Sequence, residues 1–260
     1  MRSILVHGDR GPAMASRLET GLALARMNDG HVTVLVDTPV SRYFAMDPLG
    51  GSYVASDALT QAIANDDALG ADIAAQLTGQ DVPFDIVRSE SDPVDALASA
   101  ARLADVVIVS RSGMLAGDLA MAARTPVLVL ADKGELRFPL NTACIAWDGG
   151  NEAALALRGA VPMLAGCGEV QVLTVTEKLG GFPPTDALSY LARHGIKAEL
   201  HELAKARSVE ETLAGEVEQS GAGLLVMGAY GKSRMREYLF GGVTRYFLKE
   251  SSEPALLLVH

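Results

Sequence analysis

Near the end of the chain, Gly228, Gly231, Gly241 and Gly242 stand as G-A-Y-G, nine residues, then G-G-V-T. Glycines so spaced let backbone N–H groups approach an oxyanion with no Cβ in the way. Gly241-Gly242 opens the helix-like run VTRYFLKESSE, and a helix start offers unpaired N–H groups and partial positive charge. Thr244 adds a hydroxyl that can reach a phosphate or cap the helix. The G-K-S at 231–233 looks like the end of a P-loop, but that pattern needs a glycine where Val226 stands inside the run Leu224–Met227. The chemistry of these residues is anion binding by loop glycines and a helix start. Local charge agrees: residues 228–249 carry Lys232, Arg234, Arg236, Arg245 and Lys249 against Glu237, a local charge of +4 in a chain of −10.

That overall negative charge disfavours nucleic acid and anionic membrane as bulk partners. No apolar run approaches the roughly 18 residues of a membrane span. The opening RSILVHGDRG is too short for a signal-peptide core, so a cytoplasmic protein is expected. Cys144 and Cys167 form no C-x-x-C pair and read as packing residues. The five histidines show no metal-ligand spacing, and no metal site is expected.

The elements that must position the glycines are written twice. SILVHGD at 3–9 and TACIAWD at 142–148 are apolar strands ending in aspartate, Asp9 and Asp148. Each leads into an alanine- and leucine-rich helix, ASRLETGLALARM or NEAALALRGAVPMLA. A turn glycine and a β-branched strand follow, DGHVTVLVD or CGEVQVLTV. ADVVIVS and AGLLVMG form a further pair, as do TPVLVL and EPALLLV, each of the last two introduced by a proline. Strands alternating with helices predict parallel βαβ units and, in each half, a doubly wound five-stranded sheet. The polar stretch ADKGELRFPLN at 131–141 separates two expected domains, 1–133 and 140–260. The first half is longer in its middle, with a loop DPLGGSYVAS and a helix-like ALTQAIANDDALGADIAAQL.

G-x2-G-x9-G after a fourth strand, closing on the last helix, resembles the signature of the universal stress protein family, carried here by Gly228, Gly231 and Gly241. The whole chain resembles a tandem pair of such domains. The resemblance implies an α/β fold of two doubly wound parallel five-stranded sheets in the order 3-2-1-4-5, the adenine nucleotide alpha hydrolase-like fold, paired as an intramolecular pseudo-dimer. It implies binding of ATP, ADP or AMP, with Mg beside a triphosphate. Carried over position by position, Asp148 meets the adenosine part, Ala146 and Trp147 line the base, and Val175 meets adenine through its backbone. The phosphates sit on Gly228, Gly231, Gly241, Gly242, Val243 and Thr244, and Met227 and Arg234 complete the nucleotide-binding set. Gly242 departs from the family, which has Ser or Thr there, and lacks that hydroxyl. From the residue type alone, Trp147 reads first as a packing residue and second as a base-stacking one.

The first half departs further. Ser110 stands where Gly228 does, and Gly113 where Gly231 does. Gly113 precedes Pro126 by 13 residues while Gly231 precedes Pro254 by 23, so the phosphate turn is missing from the first half. Asp9 then reads as a turn residue. No nucleophile–base pair or carboxylate–metal motif accompanies the glycines, so no catalytic residue is assigned and a slow ATPase is the most they support. The expectation is a nucleotide-dependent stress-response regulator with a degenerate first domain. A ligand-free scaffold acting through protein contacts is the alternative. A homodimer and an unidentified protein partner stay open.

Overall fold

The computed structural model describes residues 1–46, 52–132, 136–175, 181–230, 242–249 and 254–260. The first half runs β1 (Ser3–Gly8), α1 (Met14–Asn28), β2 (His31–Asp37), β3 (Phe44–Met46), β4 (Ser52–Val54), α2 (Ser56–Leu77), β5 (Phe84–Ser89), α3 (Pro93–Ala100), β6 (Val106–Ser110), α4 (Leu115–Ala122) and β7 (Val127–Leu130). The second runs β8 (Thr142–Ala146), α5 (Asn151–Leu164), β9 (Glu169–Val175), α6 (Pro184–Arg193), β10 (Glu199–Leu203), α7 (Val209–Ser220), β11 (Leu224–Gly228), α8 (Gly242–Lys249) and β12 (Ala255–Val259).

Ten strands form one sheet in the order β10-β9-β8-β11-β12-β7-β6-β1-β2-β5. Counted within its own half, each set of five is ordered 3-2-1-4-5. All pairings are parallel except β12 with β7, which is antiparallel and joins the two fifth strands in register Leu256↔Val129, Leu257↔Leu128, Leu258↔Val127. The five-stranded halves are thus fused edge to edge. Both seam strands are buried along their whole length, as expected for β-branched and leucine runs without alternation. Fusion also removes two apolar sheet edges that would otherwise template aggregation.

Helices cover both faces. One core lies under α1, α2, α5 and α6, with Leu18, Leu22, Ile73, Leu157 and Leu191. The other lies under α3, α4, α7 and α8, with Leu97, Leu119, Leu213 and Phe247. Local chemistry sets the helix ends: Ser208 accepts from the Glu211 N–H at 3.2 Å to start α7, and left-handed Gly221 stops it. Pro93 and Pro184 open α3 and α6. One element departs from expectation: part of the 47–56 loop is strand, because Ser52–Val54 pairs antiparallel with Phe44–Met46.

Candidate functional site

In each half the strand order reverses between the first and fourth strands, and there an open α/β sheet forms its crevice. In the second half this point lies between β8 and β11. Met227 pairs with Ala146, and Ala146 with Leu173. Gly228 and Val175 therefore end β11 and β9, and Asp148 follows two residues after the end of β8 between them, at one sheet edge. Ala146, Asp148, Val175 and Gly228 all keep solvent exposure, whereas Met227 is buried.

Asp148 Oδ1 accepts the Gly150 N–H at 2.8 Å, closing a turn from strand to helix. Among the described residues no cation pairs with Asp148, so an exposed carboxylate stands at the switch point. Trp147 does not face this edge as a stacking surface. It is 5% exposed in the core, and its Nε1–H donates to the Phe182 carbonyl at 3.0 Å. Phe182 in turn donates its N–H to the Gly149 carbonyl at 3.0 Å. Its own side chain is an exposed aromatic, 49% accessible. The sequence reading missed Phe182; its signal was the G-G-F-P-P run, an aromatic set between two permissive glycines and two stiff prolines.

Gly228 has a packing role that spacing alone did not reveal. A Cβ there would lie 2.7 Å from the Ala153 nitrogen and 2.8 Å from Glu152 atoms. The end of β11 thus runs against the backbone of α5, and only glycine fits. Of the other phosphate candidates, Gly242 is exposed, Val243 half-buried and Thr244 3% exposed at the start of α8. Gly231, Arg234 and Gly241 lie outside the described residues.

The turn leaving β11 is pinned on three sides. The Ala229 N–H donates to Val259 O at 2.7 Å, and His260 Nδ1–H donates to Ala229 O at 3.0 Å. Tyr230 adopts φ 59°, a conformation that costs a bulky residue on the order of 1 kcal/mol. Its hydroxyl donates to the Gly117 carbonyl of α4 at 3.2 Å, and its ring meets that of His260 edge-on at 6.1 Å. Burial, with Asp118 nearby, pushes the phenol up to about 12.

The same edge of the first half is occupied by the chain itself. Arg17 on α1 is fully buried. Its Nε–H donates to His7 O at 3.0 Å, and its guanidinium also bonds Ser110 Oγ and Asp9 Oδ1. Asp9 Oδ1 accepts the Gly11 N–H at 2.7 Å, the same turn Asp148 makes. His7 Nε2 lies 2.9 Å from Asp37 Oδ1, and its Nδ1 lies 3.5 Å from Asp9 Oδ2. Ser110, the counterpart of Gly228, is therefore a guanidinium acceptor. Only residues 111–114 separate β6 from α4, whereas 229–241 separate β11 from α8. Among the described residues, no group of three or more His, Cys, Asp or Glu could hold a metal ion, and no helix is long and apolar enough to cross a membrane.

No family model and no curated protein sequence matches this chain. Solved structures do. A universal stress protein from Archaeoglobus fulgidus DSM 4304 is 13% identical, with 99% of this chain and 96% of that one covered at a TM-score of 0.76. A candidate universal stress protein from Pseudomonas aeruginosa UCBPP-PA14 is 15% identical, covering 100% and 93%, at 0.62. A functionally unknown protein from Pseudomonas aeruginosa PAO1 is 16% identical, covering 100% and 92%, also at 0.62. At such identities the likeness is one of architecture: over its whole length, this chain has the fold of solved universal stress proteins.

Proposed function

We propose that this chain is a tandem universal stress protein, with domains at 1–133 and 140–260, that binds an adenine nucleotide in the second. The observation that carries the reading is the contrast between the two switch points. In the first half a buried guanidinium satisfies Asp9 and Ser110. In the second half Ala146, Asp148, Val175 and Gly228 keep exposure at the matching edge. An exposed carboxylate suits ribose hydroxyls, which donate to it. Exposed strand-end backbone suits the edge of a base, and Phe182 adds an apolar wall beside it. The phosphates would lie toward the start of α8, with Mg entering on them. Occupancy of this site then acts as the signal of a stress-response regulator, with no catalytic residue required.

The test is the thermal midpoint of nucleotide-free protein with and without millimolar MgATP, for wild type, Asp148→Asn and Gly231→Val. Ligand at 100 times its dissociation constant stabilises by about 2.7 kcal/mol, a rise of several degrees. The wild type is expected to shift fully, and both variants less. Asparagine keeps the turn acceptor of Asp148 but not the charge, so its loss of shift reports ligand contact rather than folding. An unshifted wild type removes the nucleotide and leaves the ligand-free scaffold.

A further inference from the structure

The seam between the halves is crossed by side chains in both directions, from just past β6 and just past β11, which the antiparallel β7–β12 pairing sets at opposite edges of the sheet. Arg111, just past β6 and 4% exposed, sends a guanidinium N–H to the Pro254 carbonyl of the second half. Tyr230, just past β11, sends its hydroxyl to the Gly117 carbonyl of the first half. The second contact bears on the candidate site, because Tyr230 lies two residues beyond Gly228. A non-glycine residue held at φ 59° needs a compensating interaction. Here the compensation is the bond to α4 and the edge-on contact with His260. Tyr230 is half-buried beside α4, near enough to Asp118 of that helix to feel its charge.

We infer that Tyr230 is a positioning residue through which the first half sets the path of the chain as it leaves β11, and with it the affinity of the second half for nucleotide. The degenerate first half is then a structural part of the site: α4 supplies the anchor, and the turn at Gly228–Tyr230 is oriented from across the seam. The inference rests on the nucleotide reading for its functional half, while its structural half stands without a ligand.

Full-length wild type, Tyr230→Phe and Tyr230→Gly separate the two. Phenylalanine keeps the ring against His260 and removes only the hydroxyl; glycine relieves the backbone strain and removes the anchor. In nucleotide-free protein, amide exchange of Ala229 is expected to quicken about tenfold in Tyr230→Phe, since the loss of one hydrogen bond is worth that order. MgATP affinity by calorimetry is expected to fall about five- to tenfold in Tyr230→Phe, at least as much in Tyr230→Gly, with the ligand-free thermal midpoint of Tyr230→Phe changed by only a few degrees. Unchanged Ala229 exchange overturns the inference. So does faster exchange with wild-type affinity, or a glycine variant that binds as tightly as wild type. If wild type takes no MgATP, the nucleotide reading fails by itself and the exchange of Ala229 alone decides whether Tyr230 positions the turn.

Discussion

Arg17 is buried without a solvent-exposed atom to spare, and its fork is spent on His7 O, Ser110 Oγ and Asp9 Oδ1. Removing it leaves a buried hydroxyl and the His7 carbonyl without their donor and a carboxylate that water still reaches without its cation, a loss of about 1–3 kcal/mol. Arg17→Met is therefore expected to lower the unfolding free energy by that amount in urea titration, and Arg17→Lys to recover only part, because one ammonium cannot replace a planar fork. Tyr230 gives the matching expectation in pH. Burial first, then the Asp118 charge, raises its phenol to about 12, above the roughly 10 of an unfolded tyrosine. A raised pKa means the folded state holds the proton after the unfolded state has lost it. The stabilisation is complete below pH 10 and is lost as pH rises toward 12. Wild type should therefore lose more stability than Tyr230→Phe between those values, and the alkaline absorbance titration of the variant should lack a tyrosine that ionises near pH 12.

Among elements, the join of β11 with α5 depends on a missing side chain. Gly228→Ala would drive a Cβ to 2.7 Å from the Ala153 nitrogen, a backbone atom that cannot swing away. A destabilisation of about 1–3 kcal/mol is expected from such overpacking, measurable by denaturant unfolding without any ligand; an unchanged midpoint would mean that α5 slides freely on the sheet. This shows what the sequence made legible. Eight of the ten sheet strands could be read because each is a short apolar run, and the pairing of like segments disclosed the repeat; β5 (FDIVRS) and β10 (ELHEL), the two outer strands, are broken by charged residues and show no such run. Asp148 and Gly228 could be placed at strand ends for the same reason. The β3–β4 hairpin escaped because each strand has three residues, too few to show a period. Arg17 escaped because an arginine in ASRLETGLALARM reads as solvent-facing on a helix. Only the topology, which sets the start of α1 over the ends of β1 and β6, turns it inward. Gly228 was legible as a glycine that matters, but the atoms it makes room for come from α5, some 75 positions earlier, which no local spacing encodes.

At the scale of the molecule, one sheet of ten strands makes the halves share their stability. Leu128 and Leu257 face each other across the seam with no exposed surface. Parting the halves would bare two apolar strand edges and break the crossings at Arg111 and Tyr230. Unfolding one half alone is then disfavoured, and one cooperative transition is expected. The chain carries its own reporter, since its one tryptophan, Trp147, lies in the second half, buried and bonded to Phe182. Circular dichroism follows both halves; Trp147 emission follows the second. In wild type the two signals should give the same urea midpoint. The decisive case is Arg17→Met, a change confined to the first half and remote from the tryptophan. If the seam couples the halves, the Trp147 midpoint falls together with the dichroism midpoint. If the halves are thermodynamically separate, the dichroism trace splits into two steps while Trp147 emission keeps its wild-type midpoint. The first half would then be a neighbour to the candidate site and not a contributor to it.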